Sequence, residues 1–241
     1  MLQKIAVLID ADNTQLAKLE LAIQEISTHG RIVVKRAYGN WKKDTLKNWE
    51  SETKRLAIKT EQQFDYVLGK NATDMALVID AIELLYSSTY DAFAIVASDS
   101  DYTPLAIKLR ESGVHVFGVG EKKTPESFRN SCDEFIFLEN LAKDADTGRS
   151  ADSSNDSSLS SDDNINTIHT LLRKAFDSYQ DDSGYVFVST VGGFIKRTKP
   201  DFDSRTYGYS KLTQLIEAFP DKYIIKKEQK GTVTIVSYKC R

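Results

Sequence analysis

Cysteine is scarce in this chain: Cys132 and Cys240 are the only two among 241 residues, with no CxxC pair and no Cys/His spacing. That excludes a disulfide scaffold and a zinc ribbon and fits a reducing compartment, so a cytoplasmic location is expected. Long apolar runs are missing too, since no stretch approaches the ~18 uninterrupted apolar residues of a membrane span. The opening MLQKIAVLIDADN puts carboxylates where a secretory peptide needs small residues. Neither a membrane protein nor a secreted one is expected. Histidine is limited to His29, His115 and His169, none beside a partner base, and each is read as structural or surface. No internal repeat is present. What remains is an ordinary globular composition, 41% hydrophobic and 10% aromatic, which excludes disorder of the whole chain.

The formal net charge of −3 conceals an asymmetry. Residues 1–142 carry −4, residues 143–163 carry another −4, and residues 164–241 carry +5. The middle piece is rich in Ser and Asp with almost no large apolar residue, so it cannot offset the entropy of ordering and reads as a flexible acidic linker. Two domains are therefore expected, 1–142 and 164–241, the second a small basic body suited to polyanions.

In the first domain short apolar runs alternate with helically spaced ones. Ile5–Ile9 precedes Leu16/Leu19/Ile23/Ile26, then Ile32–Val34 follows. A helix over 44–60, a strand at Tyr66–Leu68, a helix over 74–85, a strand at Ala92–Ala97, a helix over 103–111 and strands at 114–117 and 135–137 continue the rhythm. Runs apolar at every position suit strands covered on both faces, so the spacing predicts a parallel α/β sheet. The second domain predicts helices near 165–178, 188–197 and 208–218, closed by a hairpin around Gly231, a winged-helix layout.

Open parallel sheets bind ligands beyond the carboxyl ends of their strands, and in this chain those positions are acidic. Asp10, Asp12 and Asn13 follow the first strand, Ser98-Asp99-Ser100-Asp101 follow the strand at 92–97, and Asp74 opens a helix. An Asp at such a place also serves as a helix cap, but three acidic clusters at successive positions favour a shared site. Convergent carboxylates repel unless a cation neutralises them, and all-oxygen ligation suits Mg²⁺ or Mn²⁺. Asp80, rotated about 240° around its helix from Asp74, is read as structural. Further along, Lys35, Arg36, Tyr38, Trp41 and Lys42 interleave cations with aromatics, a pairing that holds single-stranded nucleic acid, or equally one that packs a half-buried loop.

Ile9-Asp10-Ala11-Asp12-Asn13, Lys70-Asn71-Ala72-Thr73-Asp74-Met75-Ala76-Leu77 and Ser98-Asp99-Ser100-Asp101-Tyr102 with Pro104-Leu105 resemble the three signature blocks of the NYN domain, in its LabA-like bacterial branch. The resemblance implies a PIN-like parallel sheet with flanking helices. It also implies a metal-dependent ribonuclease in which Asp10, Asp74, Asp99 and Asp101 form the metal and catalytic pocket. Asn13, Lys70 and Ser98, within the blocks, count as substrate contacts on the same ground. Gly192-Gly193-Phe194, Pro200-Asp201-Phe202-Asp203 and Tyr207-Gly208-Tyr209-Ser210-Lys211 resemble the LOTUS or OST-HTH domain. That family is associated with RNA, including G-rich RNA, and some members bind DEAD-box helicases. The resemblance marks Lys196, Arg197, Lys199, Arg205, Tyr207, Tyr209 and Lys211 as phosphate and base contacts, with a protein partner as the other expectation for this domain.

Together these readings give an expected Mg²⁺- or Mn²⁺-dependent endoribonuclease with an RNA-capturing second domain. Two rivals stand beside it: an RNA-binding regulator that keeps the acidic pocket without turnover, and a phosphomonoester phosphatase of the haloacid-dehalogenase kind, which also carries a DxD at its first strand end.

Overall fold

The first strand, β1 (Lys4–Asp10), is buried at every position after Lys4, and its alternation assigns each side chain to one of two cores. Ile5, Val7 and Ile9 meet Leu19, Ala22 and Ile26 of α1 (Leu16–Ser27) on one face. Ala6 and Leu8 meet Leu77 and Ala81 of α3 (Ala72–Tyr86), and Leu105 and Leu109 of α4 (Thr103–Glu111), on the other. A strand buried on both sides has no polar face to show, which is why it reads as a continuous apolar run. The computed structural model describes residues 4–65, 71–144, 161–231 and 233–241.

The remaining elements of this unit are β2 (Arg31–Gly39), α2 (Trp49–Arg55), β3 (Lys59–Gln62), β4 (Ala92–Val96), β5 (His115–Gly120), α5 (Glu126–Ser131), β6 (Glu134–Phe137) and α6 (Leu138–Asp144). Six strands form one sheet in the order β3-β2-β1-β4-β5-β6, and every pairing is parallel. This is the parallel α/β sheet with flanking helices that the sequence predicts. The order reverses direction between β1 and β4, so the loops after those strands open side by side at the carboxyl edge. The Asp10 and Asp99 segments are thereby neighbours, although 88 residues of chain separate them.

The expected strand at Tyr66–Leu68 lies outside the described residues. A strand is found instead at Lys59–Gln62, pairing with Arg36–Gly39. The expected long helix over 44–60 is interrupted: a 3₁₀ turn at Asp44–Leu46 precedes the shorter α2.

The chain divides into two units, Met1–Gly148 and Arg149–Arg241. The second contains α7 (Ser161–Tyr179), β7 (Val186–Phe187), α8 (Val188–Thr198), α9 (Leu212–Glu217), β8 (Tyr223–Lys230) and β9 (Val233–Cys240). Three helices close on an antiparallel sheet of order β7-β9-β8, the winged-helix layout. Ile168, Leu172, Val191, Ile195, Leu215 and Tyr238 fill its core, and the Tyr238 hydroxyl donates to the Leu172 carbonyl at 2.7 Å. Most of the expected linker falls outside the described residues, and the chain is helical from Ser161.

Candidate active site at the carboxyl edge of the sheet

Asp10 ends β1 with no exposed surface. Its carboxylate accepts from the Asn13 amide at 2.9 Å and from the backbone N–H groups of Asp12 and Asn13 at 3.1 and 3.3 Å. Burial nevertheless pushes its pKa up to about 6, and the charges of Asp74 and Asp12 push the same way. Asp74, in the first turn of α3, is likewise raised, by burial and then by the charges of Asp99, Asp101 and Asp12. The acids of all three segments therefore feel one another across the β1/β4 crevice.

Each acid also has a local donor. The Tyr102 hydroxyl donates to Asp74 Oδ1 at 2.7 Å. Tyr102 is fully buried, and burial together with Asp10 and Asp74 drives its pKa far upward, so it stays a protonated donor. Asp99 accepts from the Asp101 backbone N–H at 3.0 Å, the capping role that any strand-end Asp can take. Asp101 accepts from the Asn71 amide at 2.6 Å. Asp12 accepts from the Thr73 hydroxyl at 3.0 Å and pairs with Lys43 at 3.2 Å.

The donor set, carboxylates alone, is chemically that of a hard divalent cation, and the raised pKa values of Asp10 and Asp74, due first to burial and then to neighbouring carboxylates, mark charge that such a cation would stabilise. The arrangement is looser than the chemistry. Among the described residues no three Asp, Glu, His or Cys side chains are gathered as a metal-holding group. The residues thus fit a cation in type, each turned toward its own hydrogen-bond donor.

The interleaved aromatic and basic stretch is dispersed. Residues 35, 36 and 38 belong to β2 rather than to a loop. Tyr38 is 1% exposed, and its hydroxyl, with the Arg36 guanidinium, donates to Asp80. Asp80 is thus the structural anchor that its helical position predicts. Lys35 donates to the Leu56 carbonyl, and Trp41 donates through Nε1 to the Glu61 carbonyl at 3.0 Å. Lys42 remains exposed, its Nζ 5.0 Å from the ring centre of Phe64. Ser98 accepts from the Glu121 backbone N–H at 3.0 Å. Asn13 is exposed apart from its bond to Asp10, and Lys70 lies outside the described residues.

In the second unit Lys196, Arg197 and Lys211 are exposed. Lys199 pairs with Asp201 at 3.1 Å and Arg205 with Asp203 at 2.8 Å. Tyr207 stacks on Phe202 and Tyr209 packs against the core, so both rings are partly committed to packing.

A family model for the NYN domain matches residues 4–139. The chain belongs to the NYN family. A second model, for the OST-HTH/LOTUS domain, matches residues 163–234. An NYN domain has the PIN-like nuclease fold, and its union with a LOTUS domain supports a nuclease or RNA-binding role. An uncharacterized protein of Methanocaldococcus jannaschii is 28% identical over 121 residues, 48% of this chain and 47% of that protein, so the match spans about half the relative's length. The crystal structure of a protein of unknown function from Vibrio parahaemolyticus aligns at 18% identity and TM-score 0.47, covering 57% of this chain and 94% of that one. An uncharacterized Nitrosomonas europaea protein solved by NMR aligns at 23% identity and TM-score 0.30, over 39% and 85% of the two chains. Among the described residues no helix is long and apolar enough to cross a membrane.

Several members of this site were not expected to touch the acids. Tyr102 closes the third block, yet only the fold shows its hydroxyl reaching Asp74. Thr73 and Lys43 become neighbours of Asp12 because the α3 N-terminus and the β2 loop meet beside β1.

Proposed function

We propose that this chain is a divalent-metal-dependent endoribonuclease whose second domain captures RNA. The observation that carries the reading is the electrostatic coupling of Asp10 to Asp74, and of Asp74 to Asp99 and Asp101, at the topological switch point of the sheet. Asp10, Asp74, Asp99 and Asp101 hold the ion, Mg²⁺ or Mn²⁺. Bound there, it supplies charge neutralisation at phosphorus and acidity for the attacking water. The chain's own groups fix the carboxylates: Asn13 orients Asp10, Tyr102 orients Asp74, and Asn71 orients Asp101. The buried floor at Asp10 excludes bulk water, which strengthens each of these interactions.

The basic second domain raises the local concentration of RNA at the first without new contacts there. Lys196, Arg197 and Lys211, exposed on that domain, are the phosphate contacts, and RNA is the partner. The site works in the cytoplasm. A second reading, an RNA-binding regulator without turnover, is favoured by the local pairing of every acid and the absence of a gathered metal group among the described residues.

The test is Asp99→Asn and Asp74→Asn in the full chain. Both are expected to abolish cleavage of a labelled RNA while leaving its affinity within twofold. Retained cleavage in both variants overturns the nuclease reading, and cleavage of a small phosphomonoester at comparable rates turns it toward a phosphatase.

A further inference from the structure

The sheet order places two other loops beside the acidic crevice, the one after β2 (Asn40–Lys43) and the one after β5 (Glu121–Thr124). Each carries two adjacent lysines, Lys42-Lys43 on one side and Lys122-Lys123 on the other. Three strand spacings separate β2 from β5, about 14 Å, with Asp10 and Asp99 between them.

The β5 loop is fastened to the acid centre. Its Glu121 N–H donates to Ser98 Oγ at 3.0 Å, and Gln15 Nε2 donates to Glu121 Oε1 at 2.9 Å. The Lys122 N–H is held by both Glu139 carboxylate oxygens at 3.0 and 3.1 Å. Gly120 makes the close approach possible, since a Cβ there would stand 2.5 Å from the Ala97 carbonyl oxygen. The Lys122 and Lys123 side chains project from this anchored backbone into solvent. Lys123 pairs with Glu121 of its own loop at 3.0 Å, the Glu121 side chain largely covered and the lysine end in solvent, where its ammonium stays open to a phosphate.

The opposite bank differs in kind. Lys43 bridges Asp12 at 3.2 Å and Asp65 at 3.4 Å, and Lys42 lies over the Phe64 ring, which is 52% exposed. An exposed ring beside a cation is a stacking platform for an unpaired base.

We propose that single-stranded RNA crosses the carboxyl edge from the β2 loop to the β5 loop. Lys42 and Lys43 hold the backbone on one bank, Lys122 and Lys123 hold it on the other, and a base rests on Phe64. The phosphate between the banks then lies over the Asp10/Asp99 crevice. This rests on the nuclease reading for its purpose but not for its test. Single strands are favoured over duplex because a ring can stack only on an unpaired base, and because a duplex buries its bases from this surface.

The test is lysine acylation of the full chain with an amine-reactive acetyl ester, read by mass spectrometry. It is run in EDTA with and without a saturating single-stranded oligonucleotide. Lys42, Lys43, Lys122 and Lys123 are expected to lose most of their reactivity, while the exposed Lys108 of α4 keeps its own. Unprotected Lys122 and Lys123 overturn the two-sided track, even if Lys42 and Lys43 are protected. Equal protection by duplex RNA overturns the single-strand assignment. As a second measurement, Lys122→Ala/Lys123→Ala lowers the slope of log affinity against log salt by about 1.4, since each single-strand phosphate contact contributes about 0.7. Failure of the nuclease reading is distinguishable, because it shows as absent metal-dependent cutting and leaves the footprint unchanged.

Discussion

Replacing Asp10 by Asn is expected to stabilise the metal-free first domain while removing its activity. In the folded chain burial lifts the Asp10 pKa from 3.8 to about 6. At 1.36 kcal/mol per unit, ionised Asp10 costs about 3 kcal/mol at neutral pH. Asparagine keeps the oxygen that accepts the two backbone N–H bonds, but its amide faces the Asn13 amide, losing one hydrogen bond worth about 1 kcal/mol. The net gain is about 2 kcal/mol, or roughly 4–8 °C for a domain of this size. A raised folded pKa stabilises the fold fully below 3.8, and that stabilisation is lost as pH rises through about 6. The difference between variant and parent therefore grows from about −1 kcal/mol well below pH 3.8, where only the lost hydrogen bond counts, to its full value above neutrality. Both tryptophans, Trp41 and Trp49, lie in the first domain, so fluorescence excited selectively at tryptophan follows that domain alone. Melts in EDTA at pH 4.5 and 7.5 decide the matter. A variant melting at or below the parent temperature at pH 7.5 refutes the claim that Asp10 is an electrostatically strained carboxylate.

Asp80→Ala strips the shared partner from Arg36 and buried Tyr38 and is expected to cost about 2 kcal/mol in urea unfolding, with RNA affinity unchanged. A neutral result removes the anchor role. Gly120→Ala drives a methyl to within 2.5 Å of the Ala97 carbonyl oxygen and is expected to destabilise by about 1–3 kcal/mol. Gly192→Ala, inside α8 with its nearest neighbour at 3.7 Å, is expected to be neutral or stabilising by up to about 1 kcal/mol, so equal losses at both positions contradict the close-approach argument. In the second domain, burial and Lys222 lower the pKa of His169, which sits 2.8 Å from the Tyr223 hydroxyl. Its stabilising contribution is present above 6.5 and lost as pH falls below that value, so the methyl resonances of Leu172 should report an earlier unfolding midpoint at pH 5.5 than at 7.5. A flat profile counts against it.

The central strands were legible because burial on both faces leaves an unbroken apolar run, as in Ile5–Ile9 and Ala92–Ala97. The acids stood out because they end those runs. β3, Lys-Thr-Glu-Gln, was invisible for the opposite reason: it is an exposed edge strand held by backbone pairing to β2, with no apolar side chain to betray it. Tyr38 and Arg36 fit a nucleic-acid surface and a half-buried loop equally well in sequence, because local sequence does not show how far β2 continues. Four further residues of strand past Val34 carry Tyr38 under α3, where Asp80 claims it. Tyr102, Thr73 and Lys43 reach the acids only through contacts between segments distant in sequence, which no spacing rule encodes. The β5 loop was overlooked because its lysines acquire meaning only once β5 is seen beside β4.

The central claim is that the acidic crevice cuts RNA with a divalent ion. Its most direct test incubates the purified full chain with labelled single-stranded RNA in Mn²⁺, Mg²⁺ or EDTA, beside Asp10→Asn prepared identically. The expected result is cleavage in at least one metal, none in EDTA and none by the variant, with RNA still bound by all. Equal cleavage by the variant, or binding without cutting in every metal, contradicts it.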